Sequence, residues 1–69
     1  MWEVQLWVGK DCKSKVVFPW QRALEHVATL RSSLERARFA FQRCSRYRGL
    51  RIYHYANAGE TARIILVRA

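Results

Sequence analysis

The chain has 69 residues, 51% of them apolar, and sets 13 Lys and Arg against five Asp and Glu for a net charge of +8. That length holds one small domain, residues 1–69, which buries only about 60% of its unfolded surface. No segment reaches the roughly 18 uninterrupted apolar residues that span a bilayer, so a membrane protein is excluded as an expectation.

The first residues, Trp2 to Val8, alternate. Trp2, Val4, Leu6 and Val8 point one way, while Glu3, Gln5 and Trp7 point the other. This is the period of a half-buried strand. Glu3 breaks the apolar run and no basic segment precedes it, which does not fit a signal peptide. The expectation is a cytoplasmic protein. Cys12 and Cys44 then read as free thiols, because disulfide frameworks usually carry more cysteines and an export signal.

Gly9 to Lys15 is mostly polar and reads as a turn or loop. Val16, Val17 and Phe18 form a short apolar run, a second strand pairing back on the first. Pro19 opens a helix, since its missing N–H is no loss in a first turn. The helix is expected to run to about Tyr47 and stop before Gly49. Trp20, Ala23, Val27, Leu30, Leu34, Ala37, Phe41 and Cys44 recur in steps of three and four and make one apolar stripe. Glu25, Ser32, Arg36, Phe39, Arg43 and Arg46 fall on the opposite face.

Leu50 to Ala56 and Arg63 to Val67 read as a closing hairpin around Asn57-Ala58-Gly59-Glu60. A turn centred on Ala58-Gly59 puts Leu50, Ile52 and His54 on one face with Arg63, Ile65 and Val67. The other face carries Arg51, Tyr53, Tyr55, Ile64, Leu66 and Arg68. Neither face is purely apolar, which leaves open the one that meets the helix. The expected fold is α+β: a small antiparallel sheet of three or four strands, in the order β-(β)-α-β-β, packed on one long helix.

A helix over 19–47 is about 43 Å long, whereas the expected strands reach only about 20–23 Å. Its overhanging apolar stripe must break near Ser32-Ser33, pair with a second copy or bind a partner. The three-four spacing suits self-association, and a homodimer is expected.

The candidate chemistry lies in the charge pattern. No acid occurs between Glu35 and Glu60, and Arg36, Arg38, Arg43, Arg46, Arg48 and Arg51 fill that gap among Phe39, Phe41, Tyr47, Tyr53 and Tyr55. Guanidinium groups fork onto phosphate or carboxylate and stack on rings. On the expected helix, Arg36, Arg43 and Arg46 surround an outward-facing Phe39, and Arg48 and Arg51 carry the charge into the next strand. Tyr53 and Tyr55 join Trp7 and Arg51 on an open sheet face, where rings can stack unpaired bases. The bland alternative is a solvated helix face with Glu35 paired to Arg31 or Arg38.

His26 and His54 are the only histidines and the one pair suited to acid–base work, as in a small basic ribonuclease toxin; Glu25 and Glu60 are the candidate orienting carboxylates, and neither stands out. Cys12, His26, Cys44 and His54 lack the close pairs of a zinc site, and no phosphate loop or nucleophile motif occurs, so no metal or cofactor is expected. The leading expectation is a non-enzymatic protein whose Arg36, Phe39, Arg43, Arg46, Arg48, Arg51, Tyr53 and Tyr55 contact nucleic acid or a nucleoprotein complex. Four or five phosphate contacts predict a log–log salt slope of roughly −4 on duplex DNA. The alternative is an inhibitor docking on an acidic protein surface, in the size format of small phage and mobile-element proteins such as anti-CRISPR proteins.

Overall fold

The computed structural model describes all 69 residues. Five strands and one helix follow in the order β1 Trp2–Val8, β2 Asp11–Phe18, α1 Trp20–Arg36, β3 Ala40–Tyr47, β4 Leu50–Ala56 and β5 Thr61–Arg68. The strands form one antiparallel sheet in the order β2-β1-β5-β4-β3. The expected sheet of three or four strands is thus corrected to five, and the helix is shorter than its apolar stripe suggests.

The helix ends at Arg36 for a local reason that the residue types disguise. Arg38 takes φ 69°, the left-handed conformation usually given to glycine. The Phe39 N–H then donates to the Leu34 carbonyl at 2.9 Å and the Arg38 N–H to the Glu35 carbonyl at 3.0 Å. Phe39 and Leu34, the two residues that such a cap brings together, are both buried. A complete Schellman cap therefore forms on an arginine. Residues 40–47 leave it as an edge strand paired to β4, with Cys44 opposite Tyr53 and Tyr47 opposite Leu50.

The length mismatch disappears as a result. Seventeen helical residues span about 26 Å, the same as a strand of eight residues. The overhanging stripe proposed as a dimer seam is not there. α1 is also not long and apolar enough to cross a membrane.

The second strand is longer than its apolar run. Val8 faces Asp11 across a two-residue turn, with positive φ at Gly9 alone, the arrangement of a type II′ hairpin. The expected loop over Gly9–Lys15 is therefore mostly strand, with one register shift opposite Leu6 and Trp7. The closing hairpin has the expected turn: Asn57 Oδ1 accepts from the Gly59 and Glu60 amides at 3.1 and 2.9 Å.

The core lies between α1 and one sheet face. Val4, Tyr53, Tyr55, Ala62, Ile64 and Leu66 meet Ala23, Val27 and Leu34 there. Burying each Val, Leu or Ile side chain contributes about 1.5–3 kcal/mol, and each Ala less. The other face carries Glu3, Gln5, Trp7, Ile52, His54, Arg63 and Ile65 by register and is covered by nothing.

Candidate functional site

The strand directions sort the charges. Trp2, Phe18, Tyr47, Leu50 and Arg68 lie at one end of the sheet, together with Trp20 at the start of α1. The β1–β2 turn, the Asn57–Glu60 turn and the end of α1 lie at the other. Three of the five acids, Asp11, Glu35 and Glu60, fall at that far end, about 20 Å or more from the first. A Debye length of about 8–10 Å leaves them unable to neutralise what stands opposite.

A cleft of about 120 Å³ opens at the first end on the helix side. Trp2, Trp20, Arg46, Tyr47, Gly49, Leu50, Arg51 and Leu66 line it. The helix starts beside Trp2, its rings 4.7 Å from those of Trp20, and slants away toward Tyr55, which leaves this corner uncovered. At about 30 Å³ per water the cleft holds roughly four waters. That is the scale of one ring or one phosphate group, below the 300–1,000 Å³ typical of drug-sized ligands.

Two arginines line it, Arg46 and Arg51, and Arg68 stands next to it on Trp2. Arg46 and Arg51 are direct cross-strand partners on the same face, a like-charge pairing that works against the fold. Arg68 stacks over the Trp2 ring at 5.2 Å. Arg51 donates to the Tyr53 hydroxyl at 3.2 Å, and that bond holds its pKa above the ordinary value, burial opposing it. Arg48 stands exposed on the turn beside the cleft, where Gly49 supplies φ 70°. None of these guanidiniums hydrogen-bonds to a carboxylate. The first turn of α1 carries no acid either, so its dipole adds positive potential at the same end.

The structure therefore brings together Arg46, Arg48 and Arg51 and disperses the other expected contacts. Phe39 is 8% exposed and caps the helix from inside, so it offers no outward ring. Tyr53 and Tyr55 are buried under the helix and do not share a face with Trp7. Arg36 sits at the end of α1, across the sheet from the cleft. Arg43 lies on the open face, because β-strand alternation separates it from Arg46.

Sequence reasoning missed Trp2, Trp20 and Arg68. Trp2 and Arg68 face each other across β1 and β5, the two ends of the chain, and nothing local reveals that pairing. Arg31, expected only as a pairing partner for Glu35, instead donates its Nε to the Tyr55 hydroxyl at 2.8 Å while its guanidinium lies over Phe41 and Tyr53. That bond raises the Arg31 pKa.

The two histidines stand on opposite sides of the sheet. His26, on α1, packs on Phe18 with its Nε2 buried without a hydrogen-bond partner, whereas His54 is on the open face. They form no acid–base pair. Both cysteines are free. Comparison with known proteins finds no matching family model, no matching curated protein and no matching solved structure.

Proposed function

We propose that this protein is a small non-enzymatic binder of nucleic acid, holding a single strand at the basic, tryptophan-walled cleft. The observation that carries this reading is the cross-strand pair Arg46–Arg51, set near Arg68 with no carboxylate bonded to any of the three. Like charges placed opposite each other are unfavourable until an anion lies between them. Phosphate provides that charge, and Trp20, 40% exposed at the cleft, offers a ring for an unpaired base. Backbone charge supplies most of the affinity and base identity little of it.

Four phosphate contacts, from Arg46, Arg48, Arg51 and Arg68, give a log–log salt slope of about −3 on single strands. The test is fluorescence anisotropy of a labelled oligonucleotide across a salt series. Arg46→Ala with Arg51→Ala is expected to halve the slope. A slope near zero for the native protein, or one the double variant leaves unchanged, removes the reading.

Docking on an acidic protein is the second reading. It is favoured by the uncovered aliphatic residues Leu50, Ile52, Ile65 and Val67 on the open face. Capture of a partner that survives nuclease treatment supports it over the first.

A further inference from the structure

A second set of cations occupies the face away from the helix. One cross-strand row runs Arg43 on β3, His54 on β4, Arg63 on β5, Trp7 on β1 and Cys12 on β2. Directly opposed residues have Cβ atoms about 4.5–5.5 Å apart. The His54 side chain therefore stands between two arginine positions in its row, and the row contains no acid. Arg63 stacks over Trp7 at 5.4 Å. The Trp7 indole donates to Gln5 Oε1 at 2.9 Å, and the Gln5 amide donates in turn to Glu3 Oε1 at 2.6 Å. Glu3 is the carboxylate this face does contain. It sits two rows from His54, beside Val67, and already accepts from Gln5. The Ser45 hydroxyl, 3.1 Å from His54 Nε2, serves either protonation state, since a hydroxyl both donates and accepts.

The two cationic groups meet at an edge. β3 is the last strand of the sheet, and Arg43 and Arg46 are both exposed on it. Three residues apart, they stand about 10 Å from each other on opposite faces. A polyanion that leaves the cleft over this edge reaches Arg43 next.

We propose that the Arg43–His54–Arg63 row is a second phosphate site, which takes a backbone phosphate of the same nucleic-acid strand after it crosses the β3 edge. This rests on the nucleic-acid reading of the cleft. A phosphate between the guanidiniums removes their mutual repulsion and gives a protonated His54 a charge partner. In the free protein burial first, then Arg43 and Arg63, hold the His54 pKa below its ordinary value. A bound phosphate reverses the last two causes, so the complex takes up a proton that the free protein lacks. The sign follows: affinity rises as pH falls from 7.5 to 5.5.

The experiment uses a 12-residue oligothymidylate and, separately, inorganic phosphate, at fixed ionic strength. The His54 ring proton is titrated by NMR with and without each probe. Anisotropy with the oligonucleotide is measured at pH 5.5 and 7.5. Each pKa unit of linkage contributes up to tenfold, so the expected affinity ratio is about three- to tenfold. Arg43→Gln with Arg63→Gln, or His54→Gln alone, should bring the ratio to one. Arg46→Gln with Arg51→Gln should lower affinity at both pH values and keep the ratio. Oligonucleotide binding that leaves the His54 titration unmoved overturns this site while the cleft reading stands. A shift with inorganic phosphate only overturns the assignment to a nucleic-acid strand. No oligonucleotide binding at either pH overturns both readings.

Discussion

Two arginine–aromatic clusters sit on the same sheet face, one under the end of the helix and one where the helix begins. Under the end, Arg31 lies over Phe41 and Tyr53 and donates to Tyr55. Its charge is spread over rings and its Nε is bonded, so the cluster closes on itself. At the other end Arg46, Arg51 and Arg68 meet Trp2 and Trp20 with too few partners for three cations. The same residue types thus seal a core in one place and leave an anion site in the other. What separates them is the helix: it carries Arg31 and buries Tyr53 and Tyr55 beneath it, leaving Phe41 at the rim, and it slants off the second cluster.

The largest test of this contrast is Tyr55→Ala. Tyr55 is 1% exposed and joins the core to Arg31. The expected loss is about 3–5 kcal/mol in chemical denaturation, as for other large-to-small core changes. A loss below about 1 kcal/mol breaks the claim that this cluster is closed and structural.

A smaller effect compares arginines directly. Arg31→Ala removes a buried-side hydrogen bond and two ring contacts, and should destabilise by about 1–2 kcal/mol. Arg46→Ala with Arg51→Ala removes a like-charge pair, so stability should hold within about 0.5 kcal/mol. Equal losses from the two in the same denaturant series would erase the distinction.

The smallest effect has the opposite sign. Arg38 carries φ 69°, a conformation that costs a side-chain-bearing residue about 1–2 kcal/mol. Arg38→Gly relieves it, less the added freedom of the unfolded chain. A net gain of about 0.5–1 kcal/mol in the unfolding free energy from urea curves is expected. A loss would mean that the Arg38 side chain has a role beyond ending the helix.

The contrast also shows how far the residues alone could be read. The alternation of Trp2 to Val8, the Asn57–Glu60 turn and the two faces of the last hairpin all rest on local rules, and the fold respects them. The arginine excess and its gap in acids needed only counting. Tyr53 and Tyr55 went astray because both hairpin faces mix apolar and charged residues. Only the helix, packing on one of them, turns those rings into core.

Residues 37–47 were harder for a different reason. Ala37, Phe41 and Cys44 keep the helical step of three and four, and no glycine or proline marks a stop. The true end is built from an arginine in the left-handed region and a Phe39–Leu34 contact. Its consequence, β3, is stabilised by β4 rather than by its own sequence. Composition and short-range pattern therefore determined the charge, three of the strands, the last residues of β2 and the start of the helix. The helix end, the fifth strand and the meeting of Trp2 with Arg68 were decided by tertiary structure. Each depends on a pairing between distant residues, whose free energy no local window contains.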